Sequence, residues 1–312
     1  MSHQCIARLQ QAVDIVHHSS HPQNRIAATL FHEQDGWAIS QVNFWPEIID
    51  KTFGRDARIG NSSGTIHAET ACLFKAAFEN GHKCQGASIA VTDPPCPNCV
   101  KNMAEAGIDN IYIDHKGFHK DFAKRRIEYF QTLSVRLAQK AGISIYEVNR
   151  KDGSIVPITI ADKAYIPFNE KPVQCFSDSH QFRSPDTISS EIKTALAYCL
   201  NGTKTVQVVA VSHPALGFDS IRNDYEITHP ETKYSYIQEA CNRLLMYATR
   251  HRLIIQYQTV HVSETPTSRE FVNLIGAGIT NIHISDTAKV RDEYSLQAKK
   301  LLEENGIINF NE

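Results

Sequence analysis

No run in this 312-residue chain approaches the ~18 consecutive apolar residues of a membrane span. Its start, MSHQCIARLQQAV, also lacks the long apolar stretch of a secretory leader. Neither a spanning helix nor an exported protein is expected. Strong charge of one sign is missing too: 32 Lys and Arg face 34 Asp and Glu, for a net charge of −2. Bulk attraction to polyanions is thereby excluded, and nucleic acid is not the expected partner. A disulfide framework is the third absence. Eight cysteines, at 5, 72, 84, 96, 99, 175, 199 and 241, are scattered, and only Cys96 and Cys99 form a close pair. This argues for reduced thiols, a metal and a cytoplasmic location. The remainder, 42% hydrophobic and 21% charged, suits globular cores in a chain long enough for two domains.

The first half alternates between helical and strand patterns. Ile6, Leu9, Val13 and Val16 recur at helical spacing and predict a helix over residues 2–19. Strands are expected at RIAATLFHE and GWAISQVN, separated by Gln34-Asp35-Gly36. A long loop over 45–65 carries Gly54, Gly60 and Gly64. Then follow helix 66–80, strand ASIAVTD, helix 96–106, strand NIYID, a long helix near 120–141 and strand ISIYEV. The expected fold class is α/β, a mixed sheet flanked by helices in α/β/α layers.

Chemistry concentrates in two short motifs, His67-Ala68-Glu69 and Pro95-Cys96-Pro97-Asn98-Cys99. One imidazole and two thiolates are three ligands for a tetrahedral Zn²⁺, leaving one corner open for water as catalytic zinc sites do. Both motifs open helices, where partial positive charge favours thiolate over thiol. Glu69 lies beside such a metal, placed to take a proton from its water. A structural zinc is the competing reading of the cysteine pair, but it has no need of Glu69.

These motifs, with Gly86-Ala87, Val91-Thr92 and Ala106-Gly107-Ile108 between and after them, resemble the cytidine/deoxycytidylate deaminase superfamily. The resemblance covers at least residues 25–148 and is closest to deoxycytidylate deaminases over 66–114. It implies a zinc-dependent hydrolytic deaminase of a cytosine nucleoside or nucleotide. His67, Cys96 and Cys99 would hold Zn²⁺, which lowers the pKa of its water, and Glu69 would shuttle the proton to the ring nitrogen and the leaving ammonia. The backbone near Ala68 and the side chain of Asn43 would touch substrate. Alternatives are a purine-base (guanine) or tRNA adenosine deaminase, which Asp93-Pro94 before Pro95 counts against, and a non-catalytic zinc-stabilised binding module. The expected partner is a small-molecule nucleobase, nucleoside or nucleotide, and the superfamily's packing habit implies a homodimer.

Other polar residues carry weaker signals. Lys51, Arg55 and Arg58 could meet a phosphate or form a solvated loop. Lys116, Lys120, Lys124, Arg125 and Arg126 read as a solvated basic helix face, diluted by Asp121 and Glu128. His115 or His119 could reach the site, and Phe44 and Trp45 could wall it.

The second half repeats the first in faded form. VTDPPCPNCVKNMAEAGIDNIYID at 91–114 aligns without gaps to VSETPTSREFVNLIGAGITNIHIS at 262–285, with Thr267 for Cys96 and Glu270 for Cys99. Matching IHAETAC to YIQEAC places Tyr236 at the His67 position and Gln238 at that of Glu69. Two tandem domains are therefore expected: a catalytic domain over 1–150, a proline-bearing linker over 151–185, and a pseudo-domain over 186–312 that lacks the zinc ligands. Helical periodicity resumes near Ile188.

Overall fold

A computed structural model describes residues 2–55, 58–185, 192–219, 234–289 and 292–311. The chain folds as two units. The first holds Met1–Phe44, His67–Glu170 and Pro214–Gln238; the second holds Trp45–Ile66, Lys171–His213 and Glu239–Glu312. Each unit is a mixed sheet with helices packed on it, as the alternating pattern predicts.

In the first unit, helix α1 (Ser2–Ile15) precedes the hairpin β1 (Ala27–His32) and β2 (Trp37–Val42). Then come α2 (Ala68–Phe74), β3 (Ser88–Val91), α3 (Pro97–Ala106), β4 (Asn110–Asp114), α4 (Val135–Ala141), β5 (Ser144–Asn149) and β6 (Ser154–Thr159). The sheet order is β2-β1-β3-β4-β5-β6. Both partners of β1 run antiparallel to it, β3-β4 and β4-β5 are parallel, and β6 returns antiparallel. Parallel pairs require a crossover, and α3 and the chain through α4 supply them. β3 reads Ser-Ile-Ala-Val and is buried at every position, the pattern of a strand covered on both faces. On one face α1 contributes Cys5 and Leu9 to a cluster with Phe31, Ala90, Tyr112 and Val148.

The expected helix over 120–141 is broken. Short turns at His115–Phe118, Asp121–Lys124 and Ile127–Tyr129 and a π-helical stretch Phe130–Ser134 precede α4. Gly117 is required here. A Cβ on it would lie 2.3 Å from the Thr92 carbonyl oxygen, so the turn packs directly on the end of β3. Residues 154–159, read in the sequence as linker, instead extend the sheet.

In the second unit, β7 (Val173–Phe176), β8 (Thr194–Asn201) and β9 (Lys204–Val211) precede α5 (Ala240–His251), β10 (Thr259–Glu264), α6 (Ser268–Gly276), β11 (Asn281–Lys289), α7 (Glu293–Glu304) and β12 (Asn309–Asn311). The order is β12-β11-β10-β8-β9-β7. β8 pairs antiparallel with β9 and β10, and β10-β11 and β11-β12 are parallel. Ile188 lies outside the described residues. The region after it, read as helical, is the β8–β9 hairpin, in which every position from Val206 to Ala210 is buried, as in a strand covered on both faces.

Segment 45–66, expected as loop, contains the helix Glu47–Phe53 and a two-residue hairpin, and packs within the second unit. There Arg269 donates to the carbonyls of Thr65 and Ser63 at 2.7 and 3.2 Å. In the first unit, Lys101 of α3 is 1% exposed and donates to the Ile237 carbonyl at 2.5 Å. Gln238 donates to Asn102 at 2.9 Å, both side chains buried.

A buried ammonium that loses its acceptor costs several kcal/mol. A chain cut after residue 160 removes the Lys101 and Asn102 acceptor and donor. It is expected to aggregate on expression or to melt without a cooperative transition. A soluble fragment with full-chain cooperativity would contradict this.

Candidate metal centre and cavity

Two helix starts converge in the first unit. His67 is the N-cap of α2 and Cys96 the N-cap of α3, both in extended backbone, with Pro97 in the first turn of α3. Proline fits there because that turn has no intrahelical acceptor for an N–H. Cys99 follows in the same turn. His67 Nδ1 lies 3.2 Å from Cys99 Sγ and 3.6 Å from Cys96 Sγ, and the sulfurs are 3.6 Å apart. Tetrahedral zinc with Zn–S of about 2.3 Å and Zn–N of about 2.0 Å separates its ligand atoms by about 3.5–3.8 Å. The donor set fits that ion, and both Cys96 separations fall in this range, the His67–Cys99 distance being shorter. Among the described residues this is the one group of His, Cys, Asp and Glu side chains close enough to hold a metal.

Glu69, in the first turn of α2, is 4% exposed. Burial, then the charge of Cys96, pushes its carboxyl up to about 8. A cation at the triad acts in the opposite direction.

The approach to Cys96 is braced from several sides. Thr92 Oγ1 accepts from the Ala27 N–H at 3.0 Å and donates to Asp93 at 2.7 Å. Lys120 pairs with Asp93 at 2.6 Å, and Ser134 donates to the Pro95 carbonyl at 3.0 Å. Burial raises the Asp93 pKa, while Lys120 opposes the shift.

A cavity of about 510 Å³ opens over the triad. It is lined by His67, Glu69 and Cys96, by Ile26 and the prolines around Cys96, and by Phe122, Arg126, Tyr129, Phe130 and Tyr234. Its walls are mostly apolar, with few polar groups. Arg126 stacks on Phe122, its guanidinium carbon 4.5 Å from the ring centre.

The structure thus brings His67, Glu69, Cys96 and Cys99 together. Ala68 is buried between two cavity residues. Asn43 does not line the cavity. Its amide oxygen accepts from Ser19 Oγ at 2.6 Å and the Ile26 N–H at 2.9 Å, and its nitrogen donates to the Asn24 carbonyl at 2.9 Å. Three of its four hydrogen-bond positions are engaged in holding the 19–26 loop. Lys51 pairs with Glu47 at 2.5 Å and Arg55 with Asp50 at 3.2 Å. His115 bonds Glu147 and stands 3.2 Å from His119, away from the cavity lining.

The basic run is not one solvated face. Lys120 serves the buried Asp93 and Arg126 faces the cavity. Phe122, Tyr129, Phe130 and Tyr234 were missed by sequence reasoning. The first three were hidden by reading 120–141 as a single helix. Tyr234 has no local signal at all.

Residues 3–115 match the family model described as the cytidine and deoxycytidylate deaminase zinc-binding region. The deoxycytidylate deaminase of Enterobacteria phage T4 is 30% identical over 92 residues, 30% of this chain and 42% of that protein. That of phage T2 is 41% identical over 51 residues, 16% of this chain and 27% of that protein. The chain thus spans less than half the length of these curated relatives. Among solved structures it is similar to the dCMP deaminase of cyanophage S-TIM5 in complex with dCMP and dUMP, at 19% identity. That match covers 46% of this chain and 94% of the other, with a TM-score of 0.35. The motif that the sequence carries and the grouping of His67, Cys96 and Cys99 agree with this match of residues 3–115 to the cytidine and deoxycytidylate deaminase zinc-binding region.

Proposed function

We propose that the chain is a zinc-dependent hydrolase that removes the exocyclic amine of a cytosine nucleoside or nucleotide. The observation that carries this reading is the buried Glu69 carboxylate, on the wall of the same cavity as His67 and Cys96. A zinc that only stabilises a fold requires no such group, and burying a carboxyl is costly unless it has work to do.

His67, Cys96 and Cys99 would hold the metal, which when bound supplies a Lewis acid that lowers the pKa of water toward neutrality. Glu69 accepts a proton from the attacking water and passes it to the ring nitrogen. It then delivers the second proton to the departing amine, so that water and the amino compound become the carbonyl compound and ammonia. The apolar walls exclude bulk water, which strengthens each of these transfers. Arg126 gives the cavity a fixed cation, which favours a substrate that carries a phosphate. The named activity of the phage T4 and T2 relatives supports cytosine over a purine.

For the second half we propose a domain of the same architecture without the metal site. The order and senses of its strands β9-β8-β10-β11-β12 match those of β2-β1-β3-β4-β5, while the sixth strands, β7 and β6, lie at opposite edges. Buried Asn273 donates to Asn242 at 2.8 Å on α6 and α5, as Asn102 reaches Thr70 at 3.4 Å on α3 and α2. This pairing corrects the alignment made from the sequence. The N-caps His67 and Glu239 correspond, so Glu239 and Cys241, not Tyr236 and Gln238, stand opposite His67 and Glu69. Where Cys96 and Cys99 stand in α3, Thr267 and Glu270 form a capping box closed on itself. Glu270 also accepts from the Cys241 N–H at 2.9 Å. The positions of the ligands are occupied by groups that satisfy one another.

One zinc per chain is therefore expected, and Cys96→Ala should abolish it, since two protein ligands hold the ion poorly. Metal analysis giving two tightly bound zincs would refute the assignment of the second half. Glu69→Gln should keep zinc and fold while losing turnover by about 10² or more. Ultraviolet assay against cytidine, CMP, dCMP, cytosine, guanine and adenosine identifies the substrate. Near-normal turnover in the Gln variant would remove Glu69 from the mechanism.

A further inference from the structure

Cytosine is a flat ring, so an enzyme that acts on its edge must also hold its faces. Four aromatic side chains line the cavity: Phe122, Tyr129, Phe130 and Tyr234. Phe122 carries the Arg126 guanidinium on its ring, and Phe130 is buried edge-on against Phe118, with centroids 5.7 Å apart. Tyr129 and Tyr234 are each partly exposed, and their rings touch, with centroids 4.5 Å apart and planes 34° from parallel. Together they make one continuous aromatic surface beside the metal-ligand residues.

We propose that Tyr234, supplied to the first unit by the segment Pro214–Gln238, is a substrate-binding residue whose ring, paired with Tyr129, stacks on the pyrimidine. This rests on the deaminase reading above. It gives the second half of the chain a direct part in the reaction, beyond support.

The residues just after Tyr234 are held in place. Lys101 and Asn102, in the same helix as Cys99, bind Ile237 and Gln238 immediately downstream of Tyr234. Arg136 donates to the Tyr236 hydroxyl at 3.2 Å and lies over its ring at 5.3 Å. Gly217 anchors the other end. Its φ of +88° suits glycine alone, a Cβ there would lie 1.8 Å from the Lys140 carbonyl oxygen, and its N–H donates to the Phe168 carbonyl at 2.8 Å. One helix therefore carries a metal ligand and fixes the stacking wall, so the two keep their separation. Residues 2–170 alone contain the triad, Glu69 and Tyr129 but not Tyr234.

The test uses the full chain with Tyr234→Ala, Tyr234→Leu and Tyr234→Phe, measuring KM, kcat and bound zinc on the best cytosine substrate. Stacking of a base on an aromatic side chain is worth roughly 5- to 150-fold in binding. The Ala and Leu variants should raise KM by that order, with kcat and zinc little changed. The Phe variant, which keeps the ring, should bind as the parent does. A parental KM in active Ala and Leu variants would overturn the proposal. So would loss of zinc from both, which would make Tyr234 a structural support. A parent chain inactive on every cytosine compound would overturn the deaminase reading itself, a result visible before any variant is made.

Discussion

Everything at this site depends on two helices starting at the same point. An imidazole at the N-cap of α2 and two thiols in the first turn of α3 converge to within 3.6 Å. Neither helix could supply three ligands in tetrahedral spacing alone. Placing the starts together fixes how β1 and β3 must end. Thr92 ties those strands through the Ala27 N–H, and Gly117 lets the next turn close directly on Thr92. The free energy of metal binding at such a triad is also folding free energy, because the unfolded chain has no such arrangement.

That convergence explains the electrostatics. Glu69 is buried in the first turn of the helix capped by His67. Burial raises its proton affinity, and the Cys96 thiolate pushes the same way. A divalent cation held by the thiolates would act in the opposite direction. Asp93 is the structural counterpart: a buried carboxyl held by Lys120 and Thr92, with no place on the cavity wall.

The metal site was legible in the sequence because its rules are local. A His two residues before a Glu at one helix start, and Pro-Cys-Pro-x-Cys at another, each declare their geometry within a single turn. The β1–β2 hairpin and the α/β alternation were legible for the same reason. What escaped notice is set by distant partners. Asn43, which the resemblance assigns to substrate, also holds the loop from Ser19 to Ile26 through its amide. The run 120–141 reads as one helix, but the backbone leaves helical geometry at Arg126 and separates the turns on either side. Residue likeness slid Tyr236 under His67 because the pair Ala-Cys outweighed an N-cap that has no capping signature. Tyr234 enters the cavity through a chain segment distant in sequence, which no periodicity reveals.

The second half then takes on a different meaning. Thr267 and Glu270 form a capping box, Glu270 also accepts from the Cys241 N–H, and Pro214–Gln238 belong with the first unit. The central claim is that this site is an open zinc centre of two sulfurs and one imidazole. X-ray absorption at the zinc edge of the purified full chain tests it most directly. The account predicts two sulfurs at about 2.3 Å and two lighter atoms, one imidazole nitrogen and one oxygen, at about 2.0–2.2 Å. A shell of three or four sulfurs, or a second imidazole in place of the oxygen, would contradict it.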